Sequence, residues 1–350
     1  MDKKSFKIRA FSPSCLRAFA LSCFCAVALV SCDKDLERDN TVLENFEMLW
    51  KIVDEKYCFF EYKKDSIKDW NEVYREYKPR ALRCNSDMEV FYCFGDMLNE
   101  LKDGHVNLYS PFDISRYDIE GTYPDNYNSK IIKSERYLGK DYKIAGGLKY
   151  KILEGNIGYI YYGTFSSGFS EVNLDFVIDY FKDTQGIIID IRNNGGGVIT
   201  YVDMLASRFT KEKVLTGYWQ YKTGKGHADL SKPKAVYLSP SSNKSYYGKV
   251  ALLTNRSCYS AANDFTQTMR VLPNVVIFGD KTGGGSGLPL SSELPCGWSL
   301  RLSVNPYMDT GMQYTEFGID PDVKVDMTSE DEAQGLDTII ETARKWISGW

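Results

Sequence analysis

Residues Ile187-Ile188-Ile189-Asp190-Ile191 form a nearly continuous apolar run interrupted by one acid. A strand that is apolar on both faces must be covered on both, which points to a mainly parallel sheet between layers of helix. The surrounding sequence keeps to that plan. Gly158-Tyr159-Ile160-Tyr161-Tyr162 reads as a strand and Val172 to Phe181 as a helix. Val250-Ala251-Leu252-Leu253 and Val275-Val276-Ile277-Phe278 read as further buried strands. Helices are expected near 200–209 and from about Ser260 to Val271. Strands alternating with helices indicate an α/β core. Upstream, residues 42–102 read as helical. Leu43, Phe46, Leu49, Ile52 and Val53 recur at helical spacing, as do Val90, Phe91, Phe94, Met97, Leu98 and Leu101. Asn85-Ser86-Asp87 offers a cap to the second run, and Gly104 is expected to stop the helix and deliver His105 to a junction. Residues 107–150, rich in Tyr, Asp, Ser and Gly, read as short strands and loops. The amphipathic tail, about 332–347, reads as a closing helix.

The first residues read as an address rather than as part of the fold. Lys3, Lys4, Lys7 and Arg9 precede an apolar stretch of 13 residues, Ala18 to Val30, too short to span a bilayer comfortably. It ends in Leu29-Val30-Ser31-Cys32, which resembles a bacterial lipobox, so Cys32 is the expected acylated N-terminus after cleavage. An ordinary signal peptide that happens to contain Cys32 is the plainer alternative. The expectation is a cell-envelope protein, lipid-anchored to the outer membrane, with residues 1–31 as signal peptide and 32–41 as a charged tether. The formal net charge is −4, and no basic cluster lies outside the leader, so nucleic-acid binding has no electrostatic basis. Of nine cysteines, Cys15, Cys23 and Cys25 lie in the leader and Cys32 takes the lipid. The other five, Cys58, Cys84, Cys93, Cys258 and Cys296, are odd in number and form no CxxC, which speaks against a disulfide framework or zinc knuckle and leaves room for one bridge.

Three stretches carry chemistry. In Thr254-Asn255-Arg256-Ser257-Cys258-Tyr259-Ser260-Ala261-Ala262-Asn263-Asp264-Phe265 a buried strand runs through a turn into a helix that opens on a hydroxyl. Unpaired backbone N–H groups and the helix dipole favour negative charge there, which suits a nucleophile whose substrate oxygen becomes an oxyanion. On this stretch alone, a serine there is first of all a helix N-cap. Gly195-Gly196-Gly197 follows the buried strand 187–191 at its carboxyl end, where open α/β sheets bind ligands. Neither GxxxxGK[ST] nor GxGxxG is present, so the loop is not read as a phosphate cradle, though a plain turn also fits. The chain holds only two histidines, His105 and His227. Histidine is the natural base for a serine hydroxyl, and two histidines make no three-ligand zinc site. His227 sits in the polar stretch Lys225-Gly226-His227-Ala228-Asp229.

Leu101 to Val106 (LKDGHV), GYI…F over 158–165, IIIDIRNNGGG, ALLTNRSCYSAANDF, VVIFGDKTGGG and EFGIDPDVKV occur in that order. Together they resemble the C-terminal-processing and tricorn-core family of serine peptidases, over roughly 42–347. The resemblance implies a helical N-terminal cap at 42–105 and, over 106–350, an α/β peptidase core with a mainly parallel sheet in a crotonase-like or ClpP-like spiral. It implies acyl-transfer hydrolysis of peptides with no cofactor. It also places the nucleophile on Ser260, the histidine on His105, the acid on Glu316 and the oxyanion hole on the N–H groups of Gly196 and Ala261.

The family uses two catalytic designs. One has a Ser-Lys dyad, whose lysine belongs where this chain has Gly285; Lys281 matches an earlier, non-catalytic lysine. The other, similar to tricorn, uses serine, histidine and glutamate, and all three are present. Two departures stand out. Gly104 replaces the serine that precedes the histidine in tricorn, and residues 106–156 contain no PDZ-like carboxylate-binding loop. Should Glu316 not serve, Glu293 is the next acid. The competing expectation is a non-catalytic surface lipoprotein that binds peptide or another ligand in the same cleft. An esterase would share the mechanism but calls for a GxSxG elbow, and Tyr259-Ser260-Ala261 lacks both glycines.

Overall fold

The computed structural model describes residues 41–118 and 123–349. The leader, Cys32 and the tether up to residue 40 lie outside the described residues. A seven-stranded sheet runs in the order Val323–Lys324, Val275–Gly279, Lys249–Thr254, Gly186–Asp190, Ile157–Tyr161, Leu148–Leu153, Lys143–Ala145. The first five strands are parallel and the last two pair antiparallel.

The strand 186–190 shows why its sequence is so uniformly apolar. Ile187 and Ile189 point into one core with the helix Glu171–Phe181 and the helix Ala261–Arg270. Ile188 points into another with Ile339, Ile340, Ala343 and Ile347 of the closing helix Thr338–Ser348. The lone acid has its own reason. Arg192 donates to Asp190 at 2.6 Å and to Asp337 at 2.9 Å, and Asp337 accepts the N–H groups of Ile339 and Ile340 at the start of the closing helix. A fully buried cation between two carboxylates therefore fixes that helix to the sheet.

A second sheet of six strands was not foreseen. It runs Ile114–Arg116, Asn107–Tyr109, Ser299–Met308, Val214–Trp219, Lys234–Leu238, with Gly287–Glu293 also paired to Ser299–Met308. All its pairings are antiparallel. Against it pack the helices Val42–Lys56, Phe60–Lys63, Trp70–Ala81 and Asp87–Asn99, whose apolar faces share one core with Leu294, Trp298, Leu300, Leu302 and Val304. Residues 42–105 thus close no core of their own. Ser86 caps the last of these helices by accepting the Glu89 N–H, as expected. The stop signal is different from the one expected: the helix ends at Asn99, and Lys102, not Gly104, takes the left-handed conformation at φ 48°.

Among the described residues no helix is long and apolar enough to cross a membrane, and Cys58, Cys84, Cys93, Cys258 and Cys296 are free thiols.

Candidate active site

Ser260 stands between the strand Lys249–Thr254 and the helix Ala261–Arg270, with φ 57° and ψ −122°. For a residue with a side chain this backbone costs on the order of 1–3 kcal/mol and persists only where its surroundings dictate it. They do so here on both sides. Ser260 donates its N–H to the Gly284 carbonyl at 2.9 Å, and Tyr259 donates to the Asn194 carbonyl at 3.0 Å. The Ser260 side chain makes no capping hydrogen bond, so the plain N-cap reading fails. The turn is instead a strained strand-to-helix elbow, built without flanking glycines.

The glycine loop lies against this elbow. A Cβ on Gly196 would stand 2.6 Å from the Tyr259 carbonyl oxygen and 2.8 Å from the Ser260 Cβ, so only glycine permits the approach. The Gly196 N–H, however, is donated to Asn194 Oδ1 at 2.9 Å, and Asn194 Nδ2 donates to the Tyr162 carbonyl at 2.8 Å. Gly196 therefore shapes the pocket rather than donating into it, which corrects the sequence expectation. The loop glycine that lines the cavity with Ser260 and Ala261 is Gly197, and neither its N–H nor that of Ala261 takes a protein acceptor among the described residues.

His105 lines the same cavity of about 180 Å³. It is buried, and neither ring nitrogen has a hydrogen-bond partner, so it does not bond Ser260 in this arrangement. Its backbone N–H donates to Asp103 Oδ1 at 2.8 Å. Burial pushes the imidazole down to about 4, against the pull of the nearby Asp103 carboxylate, and Arg301 adds to the depression. A histidine held neutral by the fold adds stability above its ordinary pKa of 6.5, and that stability drains away as pH falls from 6.5 to 4. The span corresponds to about 3 kcal/mol. Denaturant unfolding of His105→Leu protein should give a flatter stability curve in this window; an unchanged slope would place the titration elsewhere.

Glu316 is buried, but its partner is not His105. Its Oε1 accepts from Lys63 Nζ at 2.8 Å and its Oε2 accepts the Ser286 N–H at 2.9 Å. Lys63, from the short cap helix Phe60–Lys63, also donates to the Lys102 carbonyl at 3.1 Å and lies 3.6 Å from Asp103. Asp103 in turn accepts the hydroxyls of Tyr57 at 2.9 Å and Ser303 at 3.0 Å. Burial and then the Asp103 carboxylate push Glu316 up to about 7, although Lys63 pulls it down. Glu316 thus supports the wall of the site at one remove from the imidazole. His227 does not line the cavity of Ser260 and His105; it is stacked on Phe60 at 4.0 Å and bonded to Asp54 at 2.8 Å. Lys281 pairs with Asp320 at 3.5 Å.

Residues 156–325 match the model of Peptidase family S41, and residues 38–99 match the Tricorn protease C1 domain. A solved structure of a candidate peptidase from Parabacteroides merdae is 52% identical, with a TM-score of 0.82, covering 88% of this chain and 97% of that one. The chain belongs to peptidase family S41. Mature CPAF shares the fold at 13% identity, with a TM-score of 0.66 over 89% of this chain and 97% of that one. A Tricorn-like protease C-terminal subunit assigned in Sulfurisphaera tokodaii is 27% identical over 229 residues, 62% of this chain. The chain spans only 25% of that curated relative's length.

Within the S41 framework, one side chain accounts for both departures at the site. The Tyr259 ring packs edge-on against His105, with centroids 4.9 Å apart. A Cβ on Gly104 would meet the Tyr259 hydroxyl at 2.9 Å, and a Cβ on Gly285 would run into the same ring. Tyr259 fills the space that a serine at 104 or a lysine at 285 would need. Gly104→Ser should therefore lower stability by about 1–3 kcal/mol, and pairing it with Tyr259→Phe should recover part of the loss. Thermal unfolding of the two proteins checks this, and additive losses would show that the two positions do not compete for space. Neither Lys63 nor Tyr259 was singled out from sequence. Lys63 sits in Phe59-Phe60-Glu61-Tyr62-Lys63-Lys64, where nothing marks it off from its exposed neighbour, and nothing local to Tyr259 reveals that its ring meets residues 104, 105 and 285.

Proposed function

We propose that the protein is a serine-type peptidase that hydrolyses peptides or unfolded protein segments through an acyl-enzyme on Ser260. The observation that carries this reading is the strained elbow at Ser260, opening onto the cavity that His105 also lines. Ser260 Oγ attacks the peptide carbonyl carbon while neutral His105 takes the hydroxyl proton. The N–H groups of Ala261 and Gly197 hold the oxyanion. Collapse breaks the C–N bond, and His105 returns the proton to the leaving amine. Water, deprotonated by His105, then attacks the ester and frees Ser260. Catalytic hydrogen bonds often tighten only when substrate is bound, which accommodates the unpaired ring of His105. Glu316 acts as a positioning residue through Lys63 and the Ser286 N–H.

The absent Ser260–His105 bond gives a specific reason to keep a second reading, that of a peptide-binding envelope protein without turnover. A fluorophosphonate probe separates the two, because only an activated serine reacts. Covalent labelling of the native protein, mapped to Ser260, is the expected result. A protein that binds peptide but stays unlabelled would decide for the second reading.

A further inference from the structure

Neither ring nitrogen of His105 is hydrogen-bonded, so its support must come through its backbone and from the charges around it. Asp103 supplies both. Its Oδ1 accepts the His105 N–H at 2.8 Å and its carbonyl accepts the Val106 N–H at 3.0 Å, which ties down successive peptide units. Its Oδ2 accepts the hydroxyl of Tyr57, at the end of the helix Val42–Lys56, at 2.9 Å. The same oxygen accepts the Ser303 hydroxyl, from the strand Ser299–Met308, at 3.0 Å, and Lys63 stands 3.6 Å away. The residue is only 1% exposed. A carboxylate gripped from several elements is fixed in place, and the main chain of His105 is fixed with it.

Asp103 and Glu316 share one ammonium, Lys63, but they divide in charge. Burial opposes the charge on Asp103, yet Lys63, then His105 and its N–H, outweigh it and hold the carboxyl below its ordinary range. Burial and then the Asp103 charge instead push Glu316 up to about 7. At neutral pH Asp103 is therefore the fully ionised member of the pair. Besides burial, Arg301 from the strand Ser299–Met308 and Lys63 from the cap oppose a charged imidazole, and Asp103 is the carboxylate that favours it; Tyr259 covers the ring from the elbow. We propose that Asp103 is the principal positioning residue of the reaction, fixing the His105 main chain and supplying the negative charge that supports the imidazolium formed when Ser260 gives up its proton. Glu316 stands behind it, through Lys63. This inference rests on the peptidase reading above and specifies how its base is held.

The test is the rate at which a fluorophosphonate labels Ser260, followed to completion across pH. Asp103→Asn keeps the shape and the acceptor for the His105 N–H but removes the charge. It should slow labelling at neutral pH by at least about tenfold, with the fraction labelled at completion unchanged. The acid limb of the rate should move to lower pH, because an imidazole without its carboxylate protonates less readily. Glu316→Gln should slow labelling less and leave the acid limb in place. A native rate and acid limb in Asp103→Asn overturn the proposal, as does a smaller labelled fraction with an unmoved acid limb, which would make Asp103 structural only. A larger loss with a shifted limb in Glu316→Gln overturns it too. Should Asp103→Asn not fold, Tyr57→Phe combined with Ser303→Ala strips both hydroxyls from Oδ2 and should slow labelling at an unchanged labelled fraction; a native rate there overturns the proposal. Native protein that takes no label removes the peptidase reading itself, whereas labelled native protein with an indifferent Asp103→Asn removes this inference alone.

Discussion

Ser260→Ala protein is expected to lose peptide hydrolysis by about four orders of magnitude or more, with substrate affinity nearly unchanged. The hydroxyl is the only atom removed, and it caps nothing, so the fold has no reason to follow the activity down. The loss should be non-additive with His105→Ala, because the two groups act on one proton. Ser260→Gly sharpens the experiment. It is equally inactive, yet glycine accepts φ 57° and ψ −122° freely and should raise stability by about 1 kcal/mol relative to alanine at the same position. Such a gain would show that the backbone is held under strain at the point of attack. A Ser260→Ala protein that still turns over peptide would remove the assignment altogether.

Lys63→Met should be strongly destabilising, costing about 3–5 kcal/mol. The reason is what it leaves behind: Glu316 and Asp103, both buried, lose the one cation among the described residues that pairs with them. Burial opposes the charged form of Lys63 itself, and the Asp103 and Glu316 carboxylates outweigh it and raise its pKa. Adding Glu316→Gln to Lys63→Met removes one of the stranded charges and should recover part of the stability. Urea denaturation of the single and double variants distinguishes lost charge pairing from lost packing. An unchanged unfolding midpoint in the single variant would show that the network contributes nothing.

The legible parts of this molecule were those with a local signature. The run Ile187–Ile191 showed a strand covered on both faces, and the division of Ile187 and Ile189 from Ile188 between two separate cores bears this out. Ser86 was readable as a cap because capping acts over three residues. The antiparallel sheet was not legible. In Gly287–Glu293 most positions are exposed or half-exposed, and Leu288 and Leu290 face out, so no clean alternation marks the strand. The partner that Glu316 takes in the structure, Lys63, lies 253 residues away in sequence, beyond the reach of any local pattern. Gly104 was read through its conformational freedom, but its φ is ordinary, and what matters is a ring that arrives from residue 259. Periodicity reports which face of an element is buried; it is silent on which distant side chain shares the space.

The interior that joins the first four helices to the strand Ser299–Met308 has a mechanical consequence. Those helices cannot swing as a door over the cleft, since opening them would tear Trp298, Leu300 and Leu302 out of their packing. Entry of a peptide must instead be admitted by the loops at the rim, and any loosening near the amino terminus should be felt as a slackening of the catalytic wall itself.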